Sequence, residues 1–157
     1  MKKQSVLFVC LGNICRSPAA EAIFLDLINK KGFNDSFIVD SAGTGSWHIG
    51  KKADTRMRIA SQKRGVEIFS RARQINSNDF EKFNYIVAMD DSNYENIIDM
   101  KSRKSLSDFA SIKKIQNFRS IFQEIEVPDP YFGGDEGFNH VLDILEDSVS
   151  GFLDTIC

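Results

Sequence analysis

Residues 5–10 read SVLFVC, a short and nearly all-apolar run that ends on a cysteine. Such a run suits a strand covered on both faces, as in a parallel sheet, because a half-exposed strand would alternate apolar with polar residues. A helical pattern follows at once: from Pro18 onward Ala19, Ile23, Leu27 and Ala20, Phe24, Ile28 recur at helical spacing. Ser17 is the expected N-cap, Pro18 the first helical residue, and Lys30-Lys31-Gly32 the close. The pattern then repeats, with strands expected at 37–40 and 85–89, a helix at about 53–64, a short helix after Asp90 and a less regular strand at 114–118. The tail from Phe138 reads as a helix with Val141, Leu142, Leu145, Val149 and Phe152 as its apolar stripe. Strands alternating with helices predict an α/β protein with helices on both faces of a sheet, in which ligands sit beyond the carboxyl ends of the strands near a topological switch.

That organisation fits one domain, residues 1–157, long enough to bury about two-thirds of its unfolded surface. A composition of 42% hydrophobic and 27% charged residues, with no repeat, linker or biased segment, belongs to a globular chain and not to a disordered or fibrous one. The formal charge of -2 argues against bulk binding to nucleic acid or anionic membrane, which needs a basic excess. Any anion site must therefore be built locally. The apolar stretch near the N-terminus is too short for a signal peptide, and no window approaches the roughly 18 apolar residues of a membrane span. The expected location is cytoplasmic. Cys10, Cys15 and Cys157 are an odd set that fits no disulfide framework. His48 and His140 are isolated, and no second Cys/His pair has ligand spacing, so neither a metal nor a cofactor is expected.

The loop between the first strand and its helix, Cys10 to Ser17, carries the densest chemistry. A loop entering a helix N-terminus turns several backbone N–H groups inward and adds the positive end of the helix dipole, which together cradle an anion. Arg16 offers a planar fork that holds two oxygens of a phosphate. The same field favours a thiolate at Cys10 and so makes it a nucleophile. Gly12 and Asn13 are residue types that tolerate the positive φ such an inward-facing loop needs. Two other points should meet this loop at one rim: Asp90, just after the strand at 85–89, and residues 129–131. Asp129 lies between Pro128 and Pro130, which restrict its backbone, and an adjacent anionic substrate would favour its protonated, acidic form. Nucleotide fingerprints are not met: there is no G-x-x-x-x-G-K-[ST], and SAGTGSWHIG has His48 where a G-x-G-x-x-G needs glycine.

The segments VCLGNICRSPAAEA, DSAGT, ARQI, MDDSN and DPYFGG, in this order and spread over nearly the whole chain, resemble the low-molecular-weight protein tyrosine phosphatase family. The resemblance implies a three-layer, doubly wound, flavodoxin-like fold on a four-stranded parallel sheet, and a two-step, metal-free hydrolysis of phosphate esters. It implies that Cys10 attacks phosphorus, forming a phosphocysteine. Arg16 and the loop from Leu11, Gly12, Asn13, Ile14 and Cys15 to Ser17 would hold the phosphate. Asp129 would act first as acid and then as base. Ser17 would stabilise the Cys10 thiolate, Asn13 would hold the loop's backbone with Ser41 as partner, and Asp90 would position Arg16. Trp47 and Tyr131 would sandwich an aromatic ring, with apolar contact from Leu11 and Ile14. A threonine in place of Ile14 is typical of the related arginine phosphatases, so Ile14 points to phosphotyrosine. The implied partners are phosphotyrosine-containing proteins, with inorganic phosphate as product, no nucleic acid, no membrane, and a monomer or weak homodimer.

Cys15, inside the cradle, is placed to trap a Cys10 sulfenic acid as a disulfide. Three departures from the family pattern stand out: Ser70 replaces a histidine that supports the loop asparagine, Thr55 replaces a common proline, and Phe132 replaces a second tyrosine. Either Ser70 substitutes through its hydroxyl or through water, or Asn13 rests on Ser41 and Ser17 alone. Arg71 and Arg73 read most simply as surface charges. Two rival readings are an arsenate reductase of the same fold, which requires further relay cysteines between Cys15 and Cys157 that are absent, and a non-catalytic phosphate-binding module, against which Cys10, Arg16 and Asp129 stand intact.

Overall fold

A computed structural model describes residues 3–131 and 133–157, so the expectation at Phe132 lies outside the described residues. In chain order the elements are strand β1 (Gln4–Cys10), helix α1 (Arg16–Lys30), strand β2 (Phe37–Gly43), helices α2 (Thr55–Gln62) and α3 (Asp79–Lys82), strand β3 (Tyr85–Ala88), helix α4 (Asp91–Arg103), strand β4 (Ser111–Lys114) and helix α5 (Asp135–Ile156). The four strands form one parallel sheet in the order β2-β1-β3-β4. The chain runs outward from β1 to β2 and then returns to the other side of β1, so the topological switch falls between β1 and β3, at whose carboxyl ends a ligand is expected.

The apolar run that opens the chain is buried on both faces. Val6, Phe8 and Cys10 point into one core with α1, α2 and α5, while Leu7 and Val9 point into a second with Phe80, Phe83 and Ile97 of the α3 and α4 side. Phe152 of α5 centres the larger core, with rings of Phe118, Tyr85 and Phe8 packed edge-on at 5.1, 5.6 and 6.3 Å. The layers are helix, sheet, helix, the expected α/β architecture. Among the described residues no helix is long and apolar enough to cross a membrane.

Several boundaries differ from the sequence reading. Helix α1 starts at Arg16, with Cys15 at the cap position and no side-chain cap, because the Ser17 hydroxyl is engaged elsewhere (below). Strand β4 is Ser111–Lys114, and 115–118 is a single 3-10 turn whose Ile115 drops into the core. The expected strand had been centred on that core contact and not on the pairing with β3. Helix α4 is thirteen residues long, α5 begins three residues before Phe138, and the short α3 was not anticipated. Strand β2 continues past Asp40 through Ser41, Ala42 and Gly43, which pair with Phe8, Val9 and Cys10.

Candidate active site

Cys10, the last residue of β1, is 3% exposed, and the loop from it to α1 turns on Asn13, whose φ is 56°. Of the loop's two conformationally permissive residues only Asn13 uses the left-handed region. At Gly12 a Cβ would lie 3.1 Å from a ring carbon of His48, so the imidazole would have to shift slightly to admit one. The Asn13 side chain is tied at both ends. Its Oδ1 accepts from the Arg73 backbone N–H at 3.0 Å, and its Nδ2 donates to Ser17 Oγ at 2.8 Å and to Ser41 Oγ at 3.0 Å. Ser17 Oγ in turn lies 3.0 Å from Cys10 Sγ. Its hydroxyl thus serves the sulfur and the asparagine, and the first-turn amides of α1 stay uncapped by any side chain, as an anion cradle at a helix start requires.

Arg16 is 3% exposed. Its Nη1 donates to Asp90 Oδ2 at 2.6 Å and to the Val127 carbonyl at 3.1 Å, while Nη2 lies 3.7 Å from Asp129 Oδ2. Burial opposes its charge, but Cys10, Asp90 and Asp129 outweigh that and hold the guanidinium protonated beyond its ordinary range. Asp90 does two jobs, since its Oδ1 also caps α4 by accepting from Asn93 N–H at 2.7 Å. The Val127 N–H bonds the Met89 carbonyl at 3.0 Å, which carries the loop bearing Asp129 to the end of β3. Loop, Asp90 and residues 129–131 thus converge at one rim.

They enclose a pocket of about 190 Å³. Cys10, Arg16 and Asp129 lie in it with Leu11, Gly12, Ile14, Cys15, Trp47 and Tyr131 on the walls. Asn13 and Ser17 do not line it. Both are buried behind the loop, where they hold it and the sulfur, as does Ser41. Trp47 is 67% exposed, and the six-membered ring of its indole packs against Gly45, where a Cβ would come within 1.8 Å of the ring. His48, isolated in the sequence, also lines the pocket, 6.1 Å from the Tyr131 ring.

Sequence reasoning missed the buttress behind Tyr131. Arg56 Nη2 donates to the Tyr131 carbonyl at 2.8 Å, and the guanidinium stacks over the Phe138 ring at 4.6 Å. Asp54, the N-cap of α2, holds Arg56 in place and keeps its own carboxyl low despite partial burial. The signal was an aspartate two residues before an arginine at a helix start. Arg73 corrects another expectation: half-buried, it bridges Asp40 and Asp79 at 3.0 Å each, while its N–H anchors Asn13. Arg71 is exposed and donates to the Gly50 carbonyl. Ser70 reaches the Glu21 carboxyl and makes no bond to Asn13, whose oxygen the Arg73 amide takes.

None of the three cysteines forms a disulfide. Cys15 is buried, and desolvation, then the charges of Asp54 and Cys10, push its thiol far above the ordinary range. Among the described residues no group of three or more His, Cys, Asp or Glu side chains is placed to hold a metal ion.

Residues 5–157 match the family model described as low molecular weight phosphotyrosine protein phosphatase. The chain is 41% identical over 156 residues to the low molecular weight phosphotyrosine protein phosphatase of Schizosaccharomyces pombe, covering 99% of this chain and 98% of that protein. Among solved structures, a protein tyrosine phosphatase of Entamoeba histolytica with Hepes in its active site aligns with a TM-score of 0.90 at 43% identity, over 98% and 97% of the two chains. The arginine phosphatase of drosophila aligns at 0.91 and 35% identity over 99% and 98%.

Proposed function

The chain belongs to the low molecular weight phosphotyrosine protein phosphatase family and is a phosphatase, and from that premise we propose how its residues carry the reaction. Cys10 sulfur attacks phosphorus in line with the ester oxygen. The P–O bond breaks, its electron pair stays on the phenolic oxygen, and Asp129 protonates that oxygen. Water, deprotonated by Asp129, then attacks the phosphocysteine, the S–P bond breaks, and inorganic phosphate leaves. The Ser17 hydroxyl, 3.0 Å away, stabilises the thiolate as nucleophile and as leaving group. Arg16 Nη1 is engaged by Asp90 and Val127, so the Nη2 side of its fork serves the phosphate together with the loop amides.

One observation carries this reading: Cys10, Arg16 and Asp129 meet in one pocket, with Arg16 Nη2 3.7 Å from the Asp129 carboxylate. The test is hydrolysis of p-nitrophenyl phosphate in EDTA. Turnover should persist, be inhibited by orthovanadate, and be nearly abolished in Cys10→Ser; equal turnover in that variant would remove the cysteine mechanism. The substrate is phosphotyrosine on proteins in the cytoplasm. Trp47 and Tyr131 flank the ring, and Ile14 in the wall favours the aryl ester over phosphoarginine, so kcat/KM should be higher for a phosphotyrosine peptide than for its phosphoarginine counterpart.

Cys15 adds a reversible off-state. Peroxide oxidises the Cys10 thiolate to sulfenic acid; the Cys15 thiol then loses its proton, attacks that sulfur and displaces hydroxide, closing a disulfide. Loss of the Cys10 charge removes one of the four influences, with burial, Asp54 and Asp129, that hold the Cys15 proton. Wild type should recover under dithiothreitol after peroxide, while equal recovery by Cys15→Ser would refute the trap.

A further inference from the structure

Glu21 lies on α1, one turn beyond Ser17, and the reaction as described does not use it. Its Oε1 is 2.6 Å from Ser41 Oγ, and directional bookkeeping links that contact to the sulfur. The Arg73 backbone N–H can only donate, so the Asn13 atom facing it is the oxygen, and the amide's two hydrogens face Ser17 and Ser41. Both hydroxyls therefore accept from Asn13, and each must send its own hydrogen elsewhere. For Ser17 the acceptors are Cys10 Sγ at 3.0 Å and, more distantly, the Ala42 carbonyl at 3.4 Å. For Ser41 the acceptor is Glu21 Oε1.

We propose that Glu21 is a positioning residue for the nucleophile: by accepting the Ser41 hydrogen it orients the Asn13 amide, which in turn directs the Ser17 hydroxyl at the Cys10 sulfur. The chain runs Glu21, Ser41, Asn13, Ser17, Cys10, each contact between 2.6 and 3.0 Å. A charged terminal acceptor fixes the Ser41 hydroxyl, and with it the amide hydrogen that points at Ser41, more firmly than a neutral one, because hydrogen bonds to an ionised group are shorter and stronger.

The relay is therefore pH-sensitive. Facing the Glu21 carboxyl are Ser41 and Asp40 from β2, Ser70 and Glu67 from the segment after α2, and Arg73, itself tied to Asp40 and Asp79. Burial is the largest influence and Asp40 adds to it; together they outweigh Ser41, Ser70 and Arg73, so that the carboxyl is pushed up to about 7. Below that pH the carboxyl is neutral, a weaker acceptor than the carboxylate, and the pull on Ser41 weakens. The Asn13 oxygen does not stand in for it, because it already accepts from the Arg73 amide.

The inference concerns the thiolate on which the phosphocysteine reading rests, and its test reads the sulfur directly. Rates of Cys10 alkylation by iodoacetamide are measured by peptide mass spectrometry from pH 5 to 9, in wild type, Glu21→Gln, Ser41→Ala and the double variant. Glutamine keeps a neutral acceptor toward Ser41 and a donor toward Ser70, so the fold is preserved while the titration is removed. Wild type should show an inflection near pH 7 that Glu21→Gln lacks, with Glu21→Gln slower by about threefold to tenfold above that pH. In the Ser41→Ala background the Gln substitution should change nothing. Superimposable profiles for wild type and Glu21→Gln would overturn the relay, as would an undiminished effect of Gln without Ser41, which would mean the charge acts through space. Both results leave the phosphocysteine reading standing, while turnover by Cys10→Ser would overturn that reading and leave the alkylation result untouched.

Discussion

Asp129 is the most exposed of the three groups proposed to react, with 44% of its side chain accessible, and its Oδ1 accepts from the Tyr131 N–H at 3.1 Å. A proline on each side holds the backbone, so the carboxylate is aimed without being buried. Its loss should therefore be a loss of proton transfer. Asp129→Ala should lower kcat on phenyl phosphate by about 100-fold or more and on p-nitrophenyl phosphate by much less, read from turnover across a leaving-group series. Glu21 makes a separate prediction about stability. Its folded value, about 7, lies above the unfolded one of 4.5, so the folded state binds the extra proton between them. That contribution is fully present below pH 4.5 and is lost as pH rises through 7. The melting temperature of wild type relative to Glu21→Gln should fall from pH 5 to pH 8; a constant difference would contradict the raised value. Cys10, Arg16 and Asp129 were legible because thiol, guanidinium and Asp-Pro carry chemistry at fixed spacing. Glu21 was not, because a glutamate on an amphipathic helix reads as a solvated face until its neighbours in space are known. Arg73 was misread for the same reason.

Elements are fastened to the site by carboxylates that cap. Asp147, on α5, accepts from the backbone N–H groups of Ser120, Ile121 and Phe122 and from the Ser120 hydroxyl, at 2.9 to 3.2 Å. Burial would raise its carboxyl, but the Ile121 and Phe122 N–H groups and Ser120 outweigh burial and hold it below the ordinary range. That bracket fixes the start of the segment leading to Asp129. Asp147→Asn, which turns an amide hydrogen toward those donors, should cost about 2 kcal/mol of unfolding free energy by urea titration. Since a depressed carboxyl stabilises only above its unfolded value, the difference should shrink as pH falls below 4. Asp90 is comparable, capping α4 while pairing Arg16. Asp90→Ala should cost about 3–5 kcal/mol, because a buried guanidinium is left without its partner, and bound phosphate should restore part of it. The capping of α4 follows from an aspartate after an apolar strand. The early start of α1 does not, because the loop from Cys10 takes Ser17 for the sulfur, where local propensity would have it cap the helix.

At the scale of the whole molecule, β1 belongs to both cores, and its alternate side chains interlock with α5 on one face and α4 on the other. The alternation of apolar runs and helical stripes foretold this layering. The position of β4 was less legible because four residues paired on one edge leave little periodicity. Phe152, fully buried among four aromatic rings, should cost about 3–5 kcal/mol on replacement by alanine, seen as a single cooperative shift in calorimetry. The sulfur is the terminal side chain of this doubly covered strand, so among the described residues it is reached through the pocket at the rim. An oxidant, an alkylator and a phosphoester must all descend the one shaft whose floor is residue 10, and whatever occupies that shaft shields the thiol from the rest. Catalysis and damage thus compete for a single entrance, and a saturating phosphate ion doubles as armour.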